Sequence, residues 1–198
     1  MHNGCYLLMK YFYSIVFLLL CLTIFSCQNK IDLSNIKGIE IYLFSTECKN
    51  EDSYNQFTSI SAREDFMNKY ASTEDIPIKN CTHFIDLENC KTETVPFLNQ
   101  NDIEKFDWNS SKIYLTESGM EKLKNKEIPL RGLPFVIQLN GKNVYGAWFW
   151  NVLSSFGCDR MYTYPRENVI DLKFGLGTFK CGTDIRKDKE LVTRAINN

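Results

Sequence analysis

Histidine is scarce in this chain, and neither sign of charge prevails. Only two of its 198 residues are His, and the formal net charge is −1. With His2 in the leader and His83 alone beyond it, a histidine-built metal centre is excluded, and the cysteines carry no C-x₂₋₄-C knuckle to replace it. With Lys10 of the leader set aside, 22 Lys and Arg face 24 Asp and Glu. Nucleic acid needs a concentrated basic face, which this balance does not supply. The mixed-sign clusters Lys122–Lys126 and Arg186–Lys189 read as solvated helix faces. No internal repeat or low-complexity run is present. P-loop, Gly-x-Ser-x-Gly, HExxH and dinucleotide signatures are absent too. Gly175-Leu176-Gly177 has neither a third glycine nor a following helix and reads as a bend. No cofactor, metal or nucleic-acid partner is expected.

What is present is apolar and aromatic. Hydrophobic residues make up 44% of the chain and aromatics 14%, enough for one packed core. The centre of the pattern is Arg131–Ser155. Phe135, Ile137 and Leu139 alternate with Val136 and Gln138, then Asn140-Gly141-Lys142-Asn143 supplies turn chemistry, and Val144–Trp150 returns as a second strand. The turn centres on Asn140-Gly141 or on Gly141-Lys142. Either register places Val144, Gly146 and Trp148 on the face of Ile137 and Leu139.

Around this hairpin, Gly38–Ser45, Thr82–Leu87, Lys112–Leu115 and Asn168–Phe174 read as strands, and Thr46–Thr58 as a loop. Ser61 and Glu64 form a capping box for a helix over Ala62–Ala71. Asn99 or Asn101 caps a short helix carrying Ile103 and Phe106, with Trp108 just beyond. Thr116 caps Glu117–Lys124, whose Met120 and Leu123 face inward. Asp184–Ile196 closes the chain as a helix with Leu191, Val192, Ala195 and Ile196 as its stripe. The fold class is α+β: an antiparallel or mixed sheet of about five strands, a central hairpin, and helices on one face.

The first residues are an address. Lys10 precedes sixteen largely apolar residues, Tyr11–Ser26, the layout of a secretory leader. Ile24-Phe25-Ser26-Cys27 is followed by polar Gln28-Asn29-Lys30. This junction resembles a bacterial lipoprotein signal, in the loose form seen in the Bacteroidetes group, with Phe25 where a small residue is usual. The resemblance implies cleavage after residue 26 and lipidation of Cys27, hence a membrane held through acyl chains. An uncleaved anchor and plain secretion are the alternatives. All three put the body outside the cytoplasm. Residues 27–37 read as a tether and 38–198 as the domain.

Within 94–175 the order of parts is distinctive: Pro96–Ile103, then Lys112-Ile113-Tyr114-Leu115-Thr116-Glu117-Ser118-Gly119, then Gly132–Ile137, then Asn140-Gly141 and the returning strand. This resembles the periplasmic head of the SecD protein-export subunit and small extracytoplasmic proteins sharing that module. In those small proteins the chain often ends in an Asp-X-Arg turn and a helix, as Asp184-Ile185-Arg186 does. The resemblance implies fold only. It supplies no catalytic residue, and no set of transmembrane helices follows.

Three groups of residues offer chemistry. Once Cys5, Cys21 and Cys27 are assigned to the leader and its lipid, Cys48, Cys81, Cys90, Cys158 and Cys181 remain. An oxidising compartment favours bridges among them. Sequence does not choose the pairs; we take Cys81–Cys90 and Cys158–Cys181, leaving Cys48 free. Cys81-Thr82-His83 allows an imidazole to activate a thiol if the segment is a strand, against the plainer reading of His83 as a core or surface residue. Tyr145, Trp148, Phe149 and Trp150 form either a partner-binding surface or an aromatic cluster under a covering loop. The function expected is a non-enzymatic interaction module of the cell envelope. The alternatives are a thiol-dependent enzyme using His83 and a purely structural envelope protein.

Overall fold

The structure, a computed structural model, describes residues 32–45, 77–165, 168–177 and 179–197. The compact unit considered below is Leu33–Asn198. The expected loop over Thr46–Thr58 and the helix over Ala62–Ala71 lie outside the described residues, as does the leader. Among the described residues no helix is long and apolar enough to cross a membrane. Residues 33–37 of the stretch read as tether already belong to this unit. The Leu33 carbonyl accepts from the Trp108 amide, and buried Ile36 bridges to Phe106.

The fold is α+β. In chain order the elements are β1 (Ile39–Leu43), β2 (Ile103–Asp107), β3 (Lys112–Leu115), α1 (Glu117–Lys124), β4 (Leu133–Leu139), β5 (Lys142–Phe149), β6 (Met161–Thr163), β7 (Val169–Asp171), β8 (Lys173–Phe174) and α2 (Lys189–Asn197). A five-stranded mixed sheet runs β1-β4-β5-β6-β8, and a three-stranded antiparallel sheet runs β2-β3-β7. In the larger sheet, among the described residues, only β5 and β6 pair in parallel. The stretch 169–174 serves both sheets. It pairs with β3 as β7, turns at Leu172, whose amide donates to the Ser111 carbonyl, and pairs with β6 as β8.

The hairpin is present, and its turn is Asn140-Gly141, both residues at positive φ (51° and 76°). The expected facing is overturned. Ile137 pairs with Tyr145 but Gln138 pairs with Asn143, so Val144 is an extra residue in β5. That bulge shifts the alternation by one. Tyr145, Ala147 and Phe149 share the face of Ile137 and Phe135, while Gly146 and Trp148 lie opposite with Val136 and Pro134.

The first of these faces makes the core. Ile39, Ile41 and Leu43 join it from β1, and Phe106, Trp108, Ile113 and Ile170 cover it from the small sheet. Leu123 of α1 and Val192 and Ala195 of α2 complete the same cluster. A fully buried side chain of this size contributes about 1.5–3 kcal/mol through burial.

Four other expectations are corrected. Residues 103–107 are a strand, not a helix. A bulge between Ile103 and Lys105 leaves Glu104 unpaired and brings Ile103 and Phe106 to one face, so a strand presents apolar residues at helical spacing. Met120 is 38% exposed, and the inward positions of α1 are Gly119 and Leu123. The last helix is broken at Asp188. A single turn, Ile185–Lys187, precedes it, and the Asp188 carboxylate accepts from the Glu190 and Leu191 amides to start α2. Finally, Thr82–Leu87 pairs with no strand among the described residues; it is a strap across the second face of the large sheet, against Gly146 and Trp148.

Candidate functional site

That strap brings the chemistry together. Ile85 packs on Gly146, where an added Cβ would come within 2.8 Å of its Cδ1. The Trp148 indole donates to the His83 carbonyl at 3.0 Å, and the His83 ring stands edge-on to Trp148 and Trp150 at 5.3 and 5.1 Å. The aromatic residues at 145–150 are therefore not exposed anchors. Tyr145 and Phe149 lie in the core, Trp150 is fully buried, and Trp148 is half-buried under the strap.

The near end of the strap is held by a disulfide, Cys81–Cys181, with Cα atoms 5.6 Å apart. Neither expected pair forms. Cys90 is disulfide-bonded, though not to Cys81, Cys158 or Cys181. Cys158 is a free, buried thiol, and the expectation for Cys48 falls outside the described residues. The reason is topological. Cys81 is separated from Cys181 by 100 residues, yet the β6–β8 pairing lays 181 beside the strap, with the Cys181 amide donating to the Asp159 carbonyl at 2.9 Å.

Asp159 is the residue that sequence reasoning missed. Its Oδ2 accepts from the Thr82 amide at 2.8 Å; its Oδ1 accepts from the His83 amide at 3.0 Å and from His83 Nδ1 at 2.8 Å. Burial pushes the carboxyl upward, but His83 and these two amides prevail and hold it below the usual carboxylate range. Next to it, buried Arg160 donates from one guanidinium nitrogen to the carbonyls of Cys181 (2.6 Å) and Thr183 (3.1 Å), and the guanidinium lies 5.4 Å from the Phe174 ring centre. Burial pulls Arg160 down from its ordinary value, and Asp159 opposes that. One sequence signal could have found it. Asp159 and Arg160 stand between Cys158 and the buried strand Met161–Thr163, and charges in such a position need partners.

Thiol chemistry has little to work with here. Cys81 is bridged, and His83 spends Nδ1 on Asp159 rather than on a thiol. Burial pushes the Cys158 thiol well up, which disfavours the thiolate. The site does work as a clasp: one bridge and one carboxylate close a strap over an aromatic face.

A second polar knot lies in the small sheet. Asp102, 2% exposed, accepts from the Asn99 amide and the Ser118 hydroxyl, each at 2.9 Å, and from Lys122 at 2.6 Å. Burial raises this carboxyl, but Lys122, the Asn99 amide and Ser118 together hold it below the ordinary range. Thr116 caps α1, and a Cβ at Gly119 would collide with the Asp102 carbonyl oxygen. Near the C-terminus, Arg186 makes a two-pronged pair with Asp184, at 2.9 and 2.7 Å, and donates to the Leu172 carbonyl.

The exposed apolar surface is elsewhere. Leu130, Val152, Leu153, Phe156 and Phe179 are all exposed, Leu153 by 81%. Leu130 precedes β4 and residues 152–156 follow β5, and Leu133 pairs with Phe149, so these lie at the end of the large sheet away from the Asn140-Gly141 turn. Asn151 ties their loop to the Ile128 carbonyl, Arg131 stacks on Phe156 at 5.5 Å, and Phe179 packs on Gly157. No protein-family model, curated protein or solved structure matches this chain.

Proposed function

We propose that this protein is a lipid-anchored, extracytoplasmic lipoprotein whose α+β domain acts as a non-enzymatic interaction module of the cell envelope. The observation that carries the reading is the junction Ile24-Phe25-Ser26-Cys27 after an apolar leader. The Cys81–Cys181 bridge is in keeping with an oxidising compartment. Cys27 carries acyl chains, and the following residues lead to Leu33, where the body begins. The fold relation to the SecD head rests on the order of parts over 94–175. Within it, the Asp102-Ile103 and Leu115-Thr116-Glu117-Ser118-Gly119 stretches interlock as one knot. The surface offered to a partner is the apolar end built by Leu153, Phe156 and Phe179, in place of the hairpin aromatics, which the core and the strap cover.

Metabolic labelling with a fatty acid tests the anchor. Wild type takes up label and fractionates with membranes, and Cys27→Ala does neither. Unlabelled wild type, or a labelled Cys27→Ala variant, ends the proposal.

A further inference from the structure

The clasp holds three groups that suit a soft or borderline metal ion. The sulfurs of Cys81 and Cys181 and a carboxylate oxygen of Asp159 all lie within 4.8 Å of one another, with both cysteines buried. While the bridge is closed the sulfurs are bonded to each other and ligate nothing. We propose that, once the bridge is reduced, Cys81, Cys181 and Asp159 form a binding site for a zinc-class divalent ion. This goes beyond the envelope role and depends on no part of it.

Geometry favours the exchange. Two thiolates on one tetrahedral zinc, each about 2.3 Å from the metal, stand roughly 3.8 Å apart. Opening the bridge therefore asks the sulfurs to separate by a small step, which side-chain rotation supplies with the Cα atoms left 5.6 Å apart. Asp159 already has a carboxylate oxygen within 4.8 Å of both sulfurs. Its Oδ2 accepts one hydrogen bond, from the Thr82 amide, and keeps a lone pair. The His83 ring and amide orient the carboxylate from Oδ1, as outer partners of metal ligands do. Three protein ligands leave a fourth position for water.

The chemistry balances. A dithiol reductant passes two electrons and two protons to the bridge, giving two thiols, and is itself oxidised to a disulfide. The metal ion then displaces both thiol protons to solvent and keeps its oxidation state.

The test uses the full chain, oxidised or reduced with an excess of dithiol that is then removed under anaerobic conditions. Cobalt(II) serves as the spectroscopic probe and zinc(II) as its competitor. Reduced wild type, with its sheet intact by circular dichroism, is expected to take up one cobalt with a thiolate-to-metal absorption band that zinc abolishes. Oxidised protein should show no band. Cys81→Ser and Cys181→Ser should each lose it, Cys158→Ala and Cys90→Ala should keep it, and Asp159→Asn should bind at least about tenfold more weakly. Cys181→Ser leaves the Asp159 hydrogen bonds in place, so it carries the test if Asp159→Asn does not fold. A reduced wild type without the band, whether folded or unfolded, overturns the proposal. So does a band that survives Cys81→Ser, or equal affinity in a folded Asp159→Asn.

Discussion

Two aspartates do similar work at opposite ends of sequence distance. Asp102 gathers Asn99, Ser118 and Lys122, at most 20 residues away; Asp159 gathers Thr82 and His83, 77 and 76 residues away. Both carboxyls sit below the ordinary range for the same reason: donated hydrogen bonds and a cationic or imidazole neighbour outweigh burial. The difference lies in what each requires first. The Asp102 knot needs one turn, one strand pair and one helix start, so its loop closures are short and cheap. The Asp159 clasp needs the large sheet assembled and the strap laid across it. A local knot organises the chain, whereas a remote one locks what is already organised.

If that distinction holds, the bridge has the largest effect. Replacing Cys81 and Cys181 together by Ser frees a loop of 100 residues in the unfolded chain and should lower stability by about 4 kcal/mol. Urea unfolding followed by circular dichroism measures it. A loss under about 1 kcal/mol would mean that the strap is held by Asp159 and the indoles alone. Asp159→Ala comes next, at about 3 kcal/mol, because it strands the Thr82 and His83 amides and the imidazole. It should also loosen the cover over Trp148 and Trp150, so tryptophan emission shifts to the red before global unfolding. Unchanged emission would show that the strap stays down without its carboxylate.

The same contrast explains what could be read from the sequence. Lys112–Leu115, the Thr116 cap and Glu117–Lys124 were legible because each signal is local and complete within a few residues. The hairpin was legible as an element while its facing was not. One extra residue at Val144 reverses which aromatics look inward, and nothing in Val144–Trp150 announces a bulge. Ile103 and Phe106 misled in the same way, through Glu104. The strap was misread because Cys81–Leu87 takes its shape from Asp159, Cys181 and Trp148, none of them nearby in the chain. Disulfide pairing failed for that reason too. Of the site, the sequence marked Cys81, His83 and Cys181 as candidates, but it did not mark the carboxylate that joins them.

On the local side, Asp102→Asn should cost about 2 kcal/mol at neutral pH. The carboxylate is buried, but Lys122 is 42% exposed, so part of the pairing is screened by water and salt. Acid dependence sharpens the point. The native carboxyl is held below its unfolded value, so its contribution is complete above roughly pH 4 and is lost as pH falls through the native value. The gap between wild type and Asp102→Asn should be flat from pH 7 to 5 and close in stronger acid. A gap that widened on acidification would contradict the lowered native value.

Thr116→Ala carries the smallest effect and the most discriminating one. Its hydroxyl oxygen accepts from the Gly119 amide at 3.3 Å, and its proton goes to the Asn101 carbonyl at 3.0 Å. Losing a cap of this kind costs about 1 kcal/mol. The backbone beside it belongs to the Asp102 knot, since the Thr116 amide donates to the Asp102 carbonyl. Thr116→Ala and Asp102→Asn should therefore be non-additive, with a coupling of about 0.5 kcal/mol or more in a double-mutant cycle read by urea unfolding. Thr116→Ala and Asp159→Ala share no partner and should add within about 0.5 kcal/mol. Were the second pair coupled as strongly as the first, the two carboxylates would belong to one cooperative network, and the division between an organising knot and a locking clasp would fall.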